Sequence, residues 1–291
     1  MTVNTVIELA TGNEVPVPDQ YASGHLRFLY HTVVGRILLR LFFSQRWLWR
    51  LYAQVMEGQG SQKKVARTVA THNINAEQFI GDGWSSYAAF FRRQYKPEYL
   101  NISQQPRAAI AVAQGVVSYQ EVAPDMTIAI KGRRYTLTDI LEDDTLAAAY
   151  RGGIAVVYHL GVQHYHRYIF PDEGAILASS YRAGKLHTVS SIGSAYPVYS
   201  INSRAVTVLD TVDAGQVIMV EVGAMMAGKI HNEPLTHYKK GQEKGHFELG
   251  GSAILVLYKK DIFIPSDRLR IAHDQQKKAL VMIGEAIGTY A

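Results

Sequence analysis

Between residues 23 and 56, Phe28, Tyr30, Leu38, Leu39, Leu41, Phe42, Phe43, Trp47, Leu48, Trp49 and Tyr52 recur at helical spacing, which predicts helix for this stretch. Arg36 with Arg40, and Arg46 with Arg50, stand four residues apart and so share helix faces between the apolar ones. Two further helices are predicted over 61–72 and 83–93, the second ended by Lys96-Pro97. From Ala108 the texture changes to short β-branched runs set between Gly, Asp and Asn, at 109–117, 126–130, 154–158, 206–209, 217–222 and 253–258. The expected fold class is therefore α+β, an N-terminal helical region followed by a β-rich body of short strands. Segments 216–230 and 279–287 each set a strand-like run beside a glycine, so the body is expected to be barrel-like. The expected organisation is an N-terminal segment (1–22), a helical region (23–100) and a β-rich core (101–291).

Composition narrows this picture. With 47% hydrophobic and 19% charged side chains over 291 residues, the chain can bury a proper core, and disorder is not expected to dominate. The absence of cysteine excludes disulfides and thiolate metal sites. The first twenty residues lack a basic start followed by an apolar run, so no cleaved signal peptide is expected. The best apolar run, 37–43, is interrupted by Arg40, too short for a spanning helix. The net charge of +5 matters less than its placement, because residues 23–56 hold Arg27, Arg36, Arg40, Arg46 and Arg50 and no acid. Such a stretch suits a helix lying in an anionic membrane surface, or else a core-packing helix with solvated arginines. Basic residues set among large apolar ones do not suit a nucleic-acid groove, and Arg151-Gly152-Gly153 lacks the spacing of a phosphate loop. His164 and His166 alternate as on a strand, but without a nearby carboxylate pattern no metal is expected.

The chemistry centres on Lys244-Gly245-His246-Phe247-Glu248-Leu249-Gly250-Gly251-Ser252-Ala253, which runs into an apolar strand. Gly-Gly-Ser alone is a turn. In one chain with Glu221–Ile230, Tyr165-His166-Arg167-Tyr168, 184–189, Asn202-Ser203-Arg204 and Phe90-Phe91-Arg92-Arg93, it closely resembles the phosphatidylserine decarboxylases, in order and in spacing, from about residue 24 onward.

The resemblance implies self-cleavage between Gly251 and Ser252, with Ser252 becoming a covalent pyruvoyl cofactor on the 252–291 fragment. Two glycines allow the turn in which the Ser252 hydroxyl reaches the Gly251 carbonyl carbon. The resulting ketone would form a Schiff base with an amino-acid headgroup and accept the electron pair released with carbon dioxide. The implied function is decarboxylation of phosphatidylserine to phosphatidylethanolamine, by a peripheral protein on the cytoplasmic face of the cell membrane, as a homodimer of processed pairs. A soluble amino acid as substrate, or an unprocessed lipid-binding pseudoenzyme, are the alternatives.

The departures bear on the base. The resemblance implies His166 in that role, with His187 and His246 as backups. The family's second histidine is Ile169 here, and its aspartate is Gln114, in Ala111-Val112-Ala113-Gln114-Gly115. A glutamine can accept from an imidazole N–H or hold the wrong tautomer; the comparable amide in a serine protease triad costs roughly 10⁴-fold. Self-cleavage occurs once per molecule, so a slow event can still give a mature enzyme.

Overall fold

The protein is described by a computed structural model covering residues 3–18, 24–81, 83–226, 229–249 and 252–291. Its centre is a ten-stranded sheet in the order His237–Tyr238, Gly174–Arg182, Arg204–Thr211, Gly215–Val222, Ser252–Tyr258, Ile154–Leu160, Gly115–Glu121, Ala279–Val281, Val3–Glu8, Glu14–Pro18. Val3–Glu8 joins Ala279–Val281 in parallel, while the other strand pairs of this sheet among the described residues are antiparallel. The Ser252–Tyr258 strand is buried along its whole length because both faces of the sheet are covered. Ile254 and Val256 pack with Val156, Tyr158 and Met219 on one face, while Ala253, Leu255 and Leu257 pack with Val157, Ile218 and Val220 on the other. A strand covered on both faces reads as an unbroken apolar run, and each large aliphatic chain so buried contributes roughly 1.5–3 kcal/mol.

The α+β expectation holds, but the barrel does not. The edge strands His237–Tyr238 and Glu14–Pro18 do not pair with each other, so among the described residues the large sheet is open. Alternation along a strand says which face is buried and nothing about whether the sheet edges meet.

The predicted helical stretch of 23–56 is broken into Gly24–His31, Val33–Leu38 and Arg46–Glu57, with a π turn at Leu39–Phe43. Thr32 makes the first break, its hydroxyl accepting the Gly35 N–H at 2.9 Å as an N-cap. Gly35 is required for the two helices to meet, since a Cβ there would lie 2.0 Å from Phe28 O. Gln62–His72 forms as expected, while 83–93 yields only Tyr87–Phe91, capped by Ser86.

The antiparallel order gathers several connections at one end of the sheet. Gly215–Val222 and Ile154–Leu160 end there and Ser252–Tyr258 begins there, with Ala253 opposite Val222 and Ser252 opposite Leu160. Arg182 and Arg204 are paired at the same end, so the 183–203 connection belongs to it, as does Gln114, just before Gly115–Glu121. The helices cover this end: Leu29, Tyr30 and Leu39 cluster with Met225, and Met56, Ala88 and Phe91 with Leu249. No helix among the described residues is long and apolar enough to cross a membrane.

Candidate active site

Ser252 opens the central strand with no exposed surface, and its Oγ has no hydrogen-bond partner among the described residues. An orphaned buried hydroxyl costs about 1–3 kcal/mol, so such a group calls for an explanation beyond packing. Gly251, the expected residue on the other side of the cut, lies with Gly250 outside the described residues. The chain approaches them through Leu249, whose φ of 47° is left-handed. For a leucine that conformation costs about 1–2 kcal/mol, and the packing of its side chain on Met56, Ala88 and Phe91 holds it there.

On one flank of Ser252 stands the turn that leads from Leu160 to His166. Gly161 N–H donates to His164 Nδ1 at 2.9 Å, so this ring is a turn cap with its proton assigned to Nε2. Burial, helped by the Arg93 charge, holds His164 down to about 4. His166 is buried, its ring tilted by 38° against Phe91 with centroids 3.9 Å apart, and its Nδ1 lies 2.9 Å from His164 O. A carbonyl can only accept, so the neutral ring carries its proton on Nδ1 and Nε2 is the basic nitrogen. The His166 carbonyl in turn accepts from Phe247 N–H at 2.9 Å, which ties this turn to the strand Glu243–Glu248 that leads into Leu249. Phe247 and Ser252, on either side of the undescribed glycines, are thus tied to His166 and to Leu160.

Gln114 reaches the same turn through the main chain. Its Oε1 accepts from Tyr165 N–H at 2.7 Å, and its Nε2 lies 3.3 Å from Met282 Sδ. Ile169 is buried with Phe79, Tyr95, Ile110 and Tyr165 in an apolar cluster. His246 is paired opposite Arg167, with its ring 4.8 Å from His231; burial first, and Arg167 next, lower its pKa to about 4.

His187 stands on the other flank of Ser252. Asn202 Oδ1 accepts its N–H at 3.0 Å, and Asn202 Nδ2 donates to His187 O and to Gly223 O, each at 2.8 Å. Gly223 follows Val222, the partner of Ala253, so the lateral sequence is His187, Asn202, Gly223, Ser252, then the His166 turn. The His187 ring is stacked 4.2 Å from Tyr196, and burial lowers its pKa to about 4.

Arg93, Phe91 and the Lys244–Glu221 pair carry no role in the sequence pattern. Arg93, buried, donates to Gln163 O at 2.8 Å and His164 O at 2.7 Å, bracing the carbonyl that holds His166. Phe91 is the shared platform of His166 and Leu249. Lys244 and Glu221 form a fully buried ion pair at 3.0 Å, with Glu221 opposite Ile254; burial pulls the ammonium pKa down while Glu221 opposes it. The Phe90–Arg93 motif and the Lys244 segment stand out in the sequence, but the contacts that give them work span many residues. Among the described residues no three His, Asp or Glu side chains gather as a metal site.

By fold this is an α+β protein whose helices cap one end of a sheet that is open among the described residues, and by site it is one that sets a buried serine at that end, between the segments that lead to His166 and to His187. The chain belongs to the phosphatidylserine decarboxylase family, whose sequence model matches residues 87–289. It is 34% identical over 276 residues to phosphatidylserine decarboxylase proenzyme 2 of Clostridium acetobutylicum, covering 94% of this chain and 95% of that protein. The phosphatidylserine decarboxylase proenzymes of Clostridium novyi (29% over 277 residues, 92% and 93% of the two chains) and Fusobacterium nucleatum (28% over 290 residues, 97% and 96%) are similar along nearly their whole lengths. The family is one of carboxy-lyases made as proenzymes.

Proposed function

We propose that this chain matures by cleavage between Gly251 and Ser252 and then decarboxylates phosphatidylserine at a membrane surface. The observation that carries the reading is Ser252, buried and without a hydrogen-bond partner among the described residues at the start of the central strand. His166 Nε2 takes the Ser252 Oγ proton as Oγ bonds to the Gly251 carbonyl carbon and the peptide nitrogen leaves protonated. Phe91 holds the ring in place, and Arg93 holds the carbonyl that fixes its tautomer. Gln114 acts through the Tyr165 N–H, so the base is positioned by main-chain contacts without a carboxylate. A pyruvoyl group fits here because the residue that would become it is already enclosed in a water-poor site; once formed, it supplies an electron-accepting ketone for loss of carbon dioxide from an amine-bearing carboxylate.

The membrane surface is met by the capping helices. Phe28, Val33, Val34, Ile37, Leu41, Phe42, Trp47, Leu51 and Val55 are exposed on them, beside Arg27, Arg36, Arg40 and Arg50. So much exposed apolar surface on one run of helices marks a membrane or partner site. We place the protein peripherally on the cytoplasmic face, where anionic lipid attracts such helices. Anionic vesicles containing phosphatidylserine should yield carbon dioxide and phosphatidylethanolamine with the native chain and none above blank with Ser252→Ala. An active Ser252→Ala protein would sink the mechanism.

A further inference from the structure

On the His187 flank of Ser252, a cavity of about 540 Å³ opens between the Val33–Leu38 helix and the 183–203 connection. Its walls include Arg36, Arg40, Lys185 and His187, with Val33 and Ile37 towards the exposed apolar face, and no carboxylate. Neither Arg36 nor Arg40 is in an ion pair among the described residues. Lys185 Nζ gives one hydrogen bond to Gln45 Oε1 at 2.9 Å, and an ammonium has two more to offer. His187 adds direction. Tyr30 Oη accepts the Thr188 N–H at 3.0 Å, so its own proton is available to His187 Nδ1, 3.3 Å away, which leaves the imidazole proton on Nε2 as a donor. Three cations and a neutral N–H donor, without a counter-charge among the described residues, are a site for an oxyanion.

We propose that this cavity binds the phosphodiester of the lipid headgroup, with Arg36, Arg40 and Lys185 as its charge partners and the apolar mouth at Val33 and Ile37 turned to the acyl chains. The lipid's identity rests on the decarboxylase reading; the anion site does not. The register accounts for the position. Asn202 links His187 to Gly223, beside Ser252, and the neighbouring strand Arg204–Thr211 lies two strand spacings, ~10 Å, from the Ser252 strand. A headgroup anchored by its phosphate on this flank extends its amino-acid end towards Ser252, with the His166 turn beyond.

The test uses the full chain carrying Ser252→Ala, which keeps the cavity and removes the chemistry. It is titrated calorimetrically with glycerophosphoserine, which has no acyl chains, and with inorganic phosphate and free serine. Glycerophosphoserine should bind and serine should not. The double variant Arg36→Gln/Arg40→Gln should weaken binding about 100-fold, roughly tenfold for each charge-assisted contact. Lys185→Gln, on a different segment, should weaken it about tenfold. Arg27→Gln/Arg50→Gln removes the same charge from the two flanking helices, Gly24–His31 and Arg46–Glu57, outside the cavity and should leave binding as it is. Equal weakening by both doubles would reduce the site to diffuse charge and overturn the proposal. Inorganic phosphate binding as tightly as glycerophosphoserine would make it a free-phosphate site and overturn the diester assignment, and no binding of either anion would remove the site. Diester binding by the Ser252→Ala chain together with no release of carbon dioxide from phosphatidylserine by the native chain would instead count against the decarboxylase reading alone.

Discussion

His164 illustrates how a residue can stand in a chemical motif and serve the backbone. It stands two residues before His166, and its Nδ1 caps the turn by accepting Gly161 N–H. That role needs a neutral ring. A histidine held at about 4 when folded and near 6.5 when unfolded contributes stability that is fully present above pH 6.5 and is lost as pH falls towards 4, because only the unfolded chain takes the proton in that window. Full expression of the shift is worth about 3 kcal/mol at pH 4. Urea midpoints measured between pH 7 and 4 should fall, and His164→Asn, which keeps an acceptor without a titration, should fall less steeply. Parallel curves would show that His164 does not carry the effect. Ser252 and His166 were legible because glycine spacing and motif order mark them. Arg93 and Phe91 were not, since Arg93 meets residues 163 and 164 only through tertiary packing.

At the scale of elements, the N-terminal helices do two jobs with two faces. Leu29, Tyr30, Leu39 and Met56 pack down onto the site end of the sheet, while Ile37, Leu41, Leu51 and Val55 point away, each more than half exposed. The amphipathic pattern was readable as helix, but not its division into three, which depends on Thr32 as a cap and on the close approach at Gly35. Ile37→Ser with Leu41→Ser and Leu51→Ser should abolish co-sedimentation with anionic vesicles while changing stability by no more than about 0.5 kcal/mol per site, as surface substitutions do. Unchanged vesicle binding would rule this face out as the membrane contact.

Over the whole molecule, the strand runs were legible because burial on both faces leaves an unmistakable apolar signal, as in Ser252–Tyr258. Closure was not, for edge pairing depends on residues far apart in sequence; Val3–Glu8, with no predicted element, joins the sheet beside Ala279–Val281. The fold sets Ser252 between a flank bearing His166 and a flank bearing His187, and the central claim is that this serine is consumed in making the enzyme. The most direct test is the intact mass of the purified chain under denaturing conditions. The account predicts two polypeptides, one ending at Gly251 and one starting at position 252 and lighter by one ammonia than the unmodified 252–291 sequence. A single uncleaved chain, or a fragment that keeps an ordinary serine at its N-terminus, would contradict it.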